Sequence, residues 1–370
     1  MNQDYKRYFK PILKVIILLS LIYLFLLSIT LIGDSFKMMG KGFAEALIKT
    51  VSNPILGLVV GIFTTSLVQS SSLTTSLVVG LIAAGAFGTD PARAAYLAIP
   101  IVMGANIGTS VTNLLVSMGH IRRSDEFERA LGASIVHDFF NVLSVIVIFP
   151  FQYFFNIIGI ASRAAAGLFV NIGGLKLVNP LSVILKPVSK AILHLFPSIP
   201  WLGIIIAFIL LFIALRYIVK VMKSLVLHKI ELFFNQYIFK TTVRALILGM
   251  LFTAIIQSSS ITTSLVVPLA AAGVLSLRKI FPYDLGANIG TTITAFLASL
   301  ATGNADAVTI AFSHLFFNLL GIAIFLPLRQ IPIKMATVFA HWSVRYKFVP
   351  LLYIILVFFL IPFLFITLMR

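Results

Sequence analysis

A hydroxyl-rich stretch headed by a glutamine occurs twice in the chain. The sequence QSSSLTTSLVV at 69–79 returns as QSSSITTSLVV at 257–267, and only one of the eleven letters differs. Each copy lies within an apolar run and offers amide and hydroxyl oxygen atoms without a charged side chain. Neutral oxygen atoms at membrane depth hold a hard monovalent cation weakly enough to release it. The two stretches therefore predict reversible cation binding.

A second motif, GANIGT, also occurs twice, at 104–109 and 286–291. Its two glycines lie in an apolar run, where a glycine costs a helix about 1 kcal/mol relative to alanine. We therefore expect an unwound break in a spanning helix at each copy, with the Thr and Ser residues that follow capping the next half-helix. Free N–H groups at a half-helix N-terminus suit an oxyanion. Together the motifs favour cotransport of a cation with an anion.

The apolar segments around each QSSS are too short to cross a bilayer. Segments 55–68 and 73–85 flank the first copy, and segments 245–256 and 261–273 flank the second. At 1.5 Å per residue each reaches only about 20 Å, against a hydrocarbon core of roughly 30 Å. We predict two re-entrant helical hairpins with QSSS at their tips near the membrane midplane. A full span with a polar centre is the alternative.

The composition is that of a polytopic membrane protein. Of the 370 residues, 60% are hydrophobic and 11% are charged, which is too little charge to cover a soluble domain of this size. Residues 15–32, 201–219 and 348–369 are nearly uncharged runs of spanning length. The net charge of +17 comes from Lys and Arg at the ends of apolar runs, as in cytoplasmic loops, so nucleic-acid binding is not expected. The absence of cysteine excludes disulfides and thiolate metal sites.

The repeated order of motifs indicates two homologous halves of opposite orientation. HDFFNVL at 137–143 matches HLFFNLL at 314–320. The loop before the first, 120–129, has three arginines, whereas the matching loop 301–307 has no basic residue. Because basic loops stay in the cytoplasm, the halves are expected to form an inverted-topology repeat. We predict seven full crossings in an inner membrane, with the N-terminus cytoplasmic and the C-terminus extracytoplasmic.

The predicted fold class is an all-α polytopic membrane protein with two inverted-topology repeats, each holding a re-entrant hairpin and a broken transmembrane helix. The expected segments are repeat 1 at 1–160, a connector at 161–200, repeat 2 at 201–328, and an amphipathic segment with a final transmembrane helix at 329–370.

Two purely structural interpretations of the same residues are the alternatives to these predictions. Ser, Thr and Gly also let membrane helices pack closely, without any ligand. His137 and His314 are expected to be core histidines bonded to a neighbouring carbonyl, with proton coupling as the alternative, and Asn141 and Asn318 are expected to tie helices together. No nucleophile elbow or Gly-Lys-Ser/Thr loop occurs, so neither an enzyme nor an ATP-driven pump is expected.

The duplicated QSSS and GANIGT motifs, with VHDFFN and HLFFN, resemble the type II sodium-dependent phosphate cotransporter family. Animal members carry runs similar to IPIVMGANIGTSVTN at 99–113 and DEFERALGASIVHDFFN at 125–141. The resemblance covers about residues 50–330. It implies sodium-coupled uptake of inorganic phosphate, with an elevator-like motion of a core that carries both hairpins.

The candidate ligands come from the hairpin tips and the GANIGT motifs, and several are assigned to both ions. The predicted phosphate ligands are Gln69, Ser70, Ser71, Ser72, Gln257, Ser258, Ser259, Ser260, Asn106 and Asn288. The predicted sodium ligands are Gln69, Ser72, Thr74, Thr75, Thr109, Ser110, Gln257, Ser260, Thr262, Thr263, Thr291, Thr292 and Asp138. Sodium is expected as a co-substrate and no cofactor is expected. The expected partners are inorganic phosphate, sodium, the lipid bilayer and a second copy in a homodimer.

Asp138 is the one carboxylate inside the duplicated motifs, and Leu315 takes its place in the second copy. We expect it to bind an additional sodium ion, since the resemblance implies an acid at this point in charge-moving members. The alternative is a pair with His137 or with an arginine of 120–129. Two rival functions are also open: a sodium-coupled carrier of sulfate or a carboxylate, and a phosphate sensor that does not transport.

Overall fold

A computed structural model describes residues 2–39, 53–172, 179–197, 199–234 and 238–369. Within these residues the chain is helical and contains no strand, so the predicted all-α class is confirmed. The helices are α1 Asn2–Met39, α2 Pro54–Val68, α3 Ser71–Ala83, α4 Pro91–Gly108, α5 Ser110–Met118, α6 Ser124–Phe155, α7 Ile157–Asn171, α8 Asn179–His194, α9 Pro200–Phe234, α10 Thr242–Ile256, α11 Ser259–Ser264, α12 Val266–Ala271, α13 Leu277–Thr302, α14 Ala305–Phe325, α15 Gln330–Arg345 and α16 Val349–Leu368.

Seven stretches of the described chain are helical, apolar and long enough to cross a membrane, as predicted. They include all three of the spanning runs identified in the sequence, within α1, α9 and α16. The others are α4 with α5, then α6, α13 and α14. Large apolar side chains such as those of Phe154 and Leu168 lie exposed on the outside of the bundle, which is where lipid contacts a membrane protein. The chain is therefore a multi-pass helical membrane protein.

The predicted connector at 161–200 is largely helical. The end of α7 and all of α8 lie within it, while residues 173–178 and 198 lie outside the described residues. The predicted amphipathic segment near the C-terminus forms α15, which buries Ile333, Ala336 and Ala340 on one face.

Each QSSS motif joins two short helices, as the segment lengths predicted. Gln69 ends α2 with a φ of 52°, and Gln257 ends α10 with a φ of 59°, so both glutamines turn the chain through the left-handed region. The serine that follows begins the next helix: the Ser70 hydroxyl accepts a hydrogen bond from the Leu73 N–H (3.2 Å), and Ser258 does the same with Ile261 (3.4 Å). An N-capping serine of this kind favours a helix start by about 1 kcal/mol.

The second arms of the two hairpins differ. Helix α3 is continuous, whereas its counterpart is interrupted at Leu265 between α11 and α12. Pro268 stands in α12 at the position that Gly80 occupies in α3. A proline within a helix offers no N–H and its ring crowds the carbonyl four residues earlier, here that of Ser264, so a helix hydrogen bond is lost there, while Leu265 keeps helical φ and ψ of −64° and −29°.

The predicted unwound break at GANIGT is wrong. Helix α13 runs without interruption through residues 286–291, and in the first copy only Thr109 separates α4 from α5, with helical φ and ψ of −62° and −29°. The glycines instead permit close packing. A Cβ at Gly104 would lie 2.0 Å from the Leu58 carbonyl oxygen, and one at Gly286 would lie 1.9 Å from that of Leu246. Helix α2 therefore packs directly on α4, and α10 on α13, in the small-residue mode of membrane helices.

Candidate ion and substrate site

The two hairpin tips line one cavity of about 290 Å³. The tip of each hairpin contributes its glutamine and its N-capping serine, and helix α9 closes one side of the cavity. The lining residues are Gln69, Ser70, Leu73, Gln257, Ser258, Phe212, Leu215 and Arg216. The glutamine and the first serine of each motif therefore lie at the same cavity.

The two tip glutamines are held differently. The Gln257 Oε1 accepts a hydrogen bond from the Thr294 hydroxyl (2.7 Å), and its Nε2 donates to the Ala254 carbonyl. Gln69 is exposed and its amide has no hydrogen-bond partner among the described residues. The counterpart of Thr294 in the first half is Thr112, whose buried hydroxyl is also without a partner in the described chain. The first tip therefore presents a free amide to the cavity.

Arg216 is a cavity residue that the sequence reading missed. It lies in α9, within an apolar run that counts as a membrane span, and its guanidinium meets no carboxylate in the described part of the chain. Guanidinium groups bind phosphate and carboxylate with paired, charge-assisted hydrogen bonds. The signal was available, because an ionisable residue inside a membrane span is a functional candidate by default.

The other predicted hydroxyl ligands of the two QSSS motifs lie behind the tips, near the start of α3 and α11. All of them are buried, and none lines the cavity. They are Ser71, Ser72, Thr74, Thr75, Ser259, Ser260, Thr262 and Thr263. Several are bonded within the protein: Thr65 donates to Thr74 (2.8 Å), and the Thr263 hydroxyl donates to the Ser259 carbonyl (2.8 Å).

Asn113 is a second residue that the sequence reading missed. Its Nδ2 donates to the Thr263 hydroxyl (2.7 Å), and its Oδ1 accepts from the Ser264 hydroxyl (2.7 Å). This amide on α5 therefore clamps the second hairpin from the first half of the chain. Its counterpart in the second half is Ala295, so no equivalent clamp reaches the first hairpin.

The asparagines of the two GANIGT motifs form a buried ring of hydrogen bonds with the His and Asn side chains of HDFFN and HLFFN. Matching bonds run in both directions between the two halves of the chain. His137 Nε2 bonds to Asn288 Oδ1 (2.8 Å) and His314 Nε2 bonds to Asn106 Oδ1 (3.0 Å). The two remaining asparagines, Asn141 and Asn318, complete the ring. Asn106 Nδ2 donates to Asn318 Oδ1 and Asn288 Nδ2 donates to Asn141 Oδ1, each at 2.7 Å. Since the amide oxygens only accept, each histidine carries its proton on Nε2.

The ring is closed by the asparagines that follow each histidine. Asn141 Nδ2 donates to the Asn106 carbonyl (3.1 Å), and Asn318 Nδ2 donates to the Asn288 carbonyl (3.2 Å). The expectation that Asn141 and Asn318 tie helices together is confirmed, and both histidines are bonded to amide carbonyls in the core. Asn106 and Asn288, predicted to bind phosphate, have both side-chain groups engaged in this ring and do not line the tip cavity.

The hydroxyl residues after each second glycine do not cap a half-helix. Thr109 donates to the Ala105 carbonyl (3.0 Å), Thr291 to Ala287 (3.1 Å) and Thr292 to Ile289 (2.7 Å). Each hydroxyl thus bonds to its own helix because that helix continues past the motif. The predicted capping role is wrong for the same reason as the predicted break. Ser110 lies buried beside the Asp138 carboxyl group.

Asp138 is fully buried, and its partner is Tyr353. The Tyr353 hydroxyl of α16 donates to Asp138 Oδ2, while Oδ1 has no hydrogen-bond partner in the described chain. The alternative pairing with His137 or an arginine of 120–129 is therefore wrong. The sequence reading could not find Tyr353, since it lies outside the duplicated halves. The free Oδ1 leaves a coordination position that the sodium prediction requires.

Asp284 is a third missed residue. It lies on α13, two residues before the second GANIGT motif, where the first half has Val102. The side chain is buried, and neither carboxylate oxygen has a hydrogen-bond partner among the described residues. The sequence signal for Asp284 was an acidic residue within an apolar run, which marks a candidate functional residue.

These features define a multi-pass helical membrane protein with a duplicated polar centre that contains two paired hairpin tips. Residues 24–184 and 210–363 match the Na+/Pi-cotransporter family. The chain therefore belongs to that family, and the resemblance seen in the motifs is confirmed.

Relatives include the sodium-dependent phosphate transport protein 2B of Pongo abelii and the sodium-dependent phosphate transport protein 2A of Ovis aries, each 31% identical. The alignments cover 96% and 97% of this chain and 65% and 68% of the relatives. The chain thus spans about two thirds of the length of the curated relatives it matches. No solved structure matches the chain.

Proposed function

We propose that the protein is a secondary transporter that couples the uptake of inorganic phosphate to sodium. One observation carries the proposal: both QSSS tips and the guanidinium of Arg216 line a single cavity. Family membership supports it, as do the printed names of the relatives, which describe sodium-dependent phosphate transport.

The chemistry of the cavity suits this pair of substrates. Arg216 supplies the positive charge that an oxyanion needs, and the hydroxyls of Ser70 and Ser258 supply hydrogen bonds. The tip amide oxygens are neutral ligands for sodium, and each bound cation offsets part of the charge on phosphate. Because opposite charges attract at short range, we propose that binding of one ion favours binding of the other.

The predicted ligands then fall into two groups. Gln69, Ser70, Gln257 and Ser258 are the shared ligands at the cavity. The second group does not line the cavity and is proposed to bind ions only if the tips rearrange. It comprises the buried hydroxyls of the hairpins, the hydroxyls of Thr109, Ser110, Thr291 and Thr292, and the amides of Asn106 and Asn288.

The proposed topology is the one predicted from the sequence. Repeat 1 (1–160) and repeat 2 (201–328) have opposite orientations in the membrane, and both hairpins are re-entrant. The reciprocal bonds of the amide ring support a two-fold relation between the halves. Single cysteines placed at Ser124 and Asn304 test the orientation, since the native chain contains no cysteine. Labelling from opposite sides of the membrane is expected, and labelling of both from one side would rule out inversion. A cytoplasmic N-terminus, an extracytoplasmic C-terminus and a homodimer complete the proposal.

Reconstitution into proteoliposomes tests the function. An inward sodium gradient should drive uptake of labelled phosphate, and arsenate should compete whereas succinate and sulfate should not. Phosphate binding in detergent without sodium-driven uptake would instead indicate a sensor. Competition by succinate or sulfate would indicate a carrier of another anion.

Arg216 gives a sharper test of the cavity. Arg216→Gln should weaken phosphate binding by roughly 10- to 150-fold, the equivalent of losing about 1.5–3 kcal/mol of hydrogen bonding to a charged group. Arg163→Gln is the control, because Arg163 lies on α7, away from the cavity, and its hydrogen bond within the described chain goes to the Gly159 carbonyl (3.3 Å). Equal phosphate affinity in the two variants would place the substrate elsewhere.

Asp138 is proposed to bind an additional sodium ion. Three sodium ions with divalent phosphate move net charge, whereas two do not. Asp138→Gly should therefore lower the slope of the sodium dependence and abolish the transport current while sparing some uptake. An unchanged current per phosphate moved would refute this role.

A further inference from the structure

The carboxyl group of Asp284 is isolated in the membrane-spanning part of α13. The side chain is 1% exposed, and its neighbours along the helix face are Ile280, Phe281 and Ala287, all fully buried. Both of its oxygen atoms lack a hydrogen-bond partner in the described chain. An ionised carboxylate in such a place costs several kcal/mol unless something neutralises it.

Among the described residues, no basic group forms an ion pair with Asp284. No Lys, Arg or His nitrogen of the described residues lies within 4.0 Å of its oxygen atoms. Helix α13 packs against α1, α3, α6, α8, α10, α11, α14 and α15. None of the described basic side chains on these helices or on α13 itself forms an ion pair with Asp284. The described ionisable side chains there are Lys14, Tyr23, Asp34, Asp125, Glu126, Glu128, Arg129, His137, Asp138, Tyr153, Lys186, Lys190, His194, Arg244, Arg278, Lys279, Tyr283, Asp306, His314, Lys334, His341 and Arg345.

The two histidines that approach this region are already committed. His137 bonds to Asn288 through Nε2, and His314 bonds to Asn106 in the same way. Both Nε2 groups donate a hydrogen bond to an amide oxygen of the ring, so those nitrogens are engaged with amides rather than with the Asp284 carboxylate. The compensating group for Asp284 must therefore be small and come from outside the described side chains.

A proton fits this position better than a sodium ion. Sodium requires several oxygen ligands, and the polar side chain one turn along the same helix face is Asn288. Its Oδ1 accepts from His137 and its Nδ2 donates to Asn141, so the amide is held in the ring, and it makes no hydrogen bond to Asp284. A proton requires only the carboxylate itself.

We propose that Asp284 is a proton-binding site that is occupied in the conformation described here. The carboxylate takes a proton from water and becomes a neutral acid, and it releases that proton only in a conformation that admits water to α13. The site belongs to the second half alone, because the first half has Val102 at the matching position. The proposal does not depend on the identity of the transported anion.

Infrared spectroscopy of the purified full chain in liposomes at neutral pH tests the site directly. The C=O stretching band of a protonated carboxylic acid should be present in the wild type. It should lose intensity in Asp284→Asn and in Asp284→Val, a change that copies the residue accepted at position 102. Asp306→Asn, which alters a partly exposed acid at the start of α14, is the control and should leave the band unchanged.

Two outcomes would overturn the proposal. Equal band intensity in the wild type and both Asp284 variants would show that the carboxyl is ionised. A wild-type band that disappears when sodium is added at constant pH would make Asp284 a sodium ligand instead. Since neither measurement requires transport, failure here is distinguishable from failure of the proposed symport.

Discussion

The two hairpin tips have the same sequence, but the protein holds them in different ways. In the second half, Thr294 and the Ala254 carbonyl fix the Gln257 amide, and Asn113 clamps the helix behind it. In the first half, the Gln69 amide has no partner in the described chain. One tip is thus pre-arranged while the other is free to reorient, although the local sequences are nearly identical.

The acids are distributed with the same asymmetry. The first half has Asp138 where the second has Leu315, and the second has Asp284 where the first has Val102. Asp138 retains a hydrogen bond from Tyr353, whereas Asp284 has none among the described residues. The halves therefore share a scaffold and also differ in the acids that could bind a cation.

The largest expected effect comes from the glycines that the halves share. Gly104→Ala and Gly286→Ala should both abolish recovery of folded protein. The new methyl group would meet a backbone carbonyl at about 2 Å in either half, and backbone cannot yield as a side chain does. Gly167→Ala is the control, since no atom lies within 4 Å of its Cβ position. Detergent size-exclusion profiles measure the outcome, and a normal profile for either variant would contradict the close packing described.

The tip glutamines come next. Gln69→Ala and Gln257→Ala should each abolish sodium-driven phosphate uptake while the protein remains folded, because each removes an amide from the cavity. Only Gln257→Ala should also lower the unfolding temperature, since Thr294 then loses its acceptor. Uptake and thermal unfolding in detergent separate the effects. Near-normal uptake in either variant would indicate that these segments serve helix packing rather than transport.

A smaller and equal effect is expected at the amide ring. Asn106→Ala and Asn288→Ala each leave a buried histidine without its acceptor, at a cost of about 1–3 kcal/mol. Thermal unfolding of the two variants should give matching losses. Asn171→Ala, at the exposed end of α7, is the neutral control. A loss of thermal stability in only one of the two variants would contradict the reciprocal arrangement of the ring.

The smallest expected effect is at Tyr353. Tyr353→Phe removes the hydrogen bond that the Tyr353 hydroxyl donates to Asp138, which is worth about 0.5–1.5 kcal/mol. We expect a modest shift in the sodium concentration for half-maximal uptake, far milder than the effect of Asp138→Gly. Tyr346→Phe, at an exposed position, should change nothing. A Tyr353 variant as impaired as Asp138→Gly would make the hydroxyl itself a required ligand.

Much of the local structure could be predicted from the sequence. Segment length against bilayer thickness predicted the short helices of both hairpins, and the Gln-Ser junctions lie where α2 ends and α3 begins. Asn141 and Asn318 were expected to tie helices together, and both do so. These features follow from the sequence because chain turns, helix caps and hydrophobic length depend on neighbours within a few residues.

Other features were decided only by the tertiary structure. The same glycines that suggest a break remain helical, because a facing backbone fills the space that a side chain would occupy. Arg216 reaches the tip cavity from another helix, and Tyr353 reaches Asp138 from outside the repeat. Which groups meet a glycine, a carboxylate or an amide across tens of residues depends on helix packing, and no local pattern encodes those partners.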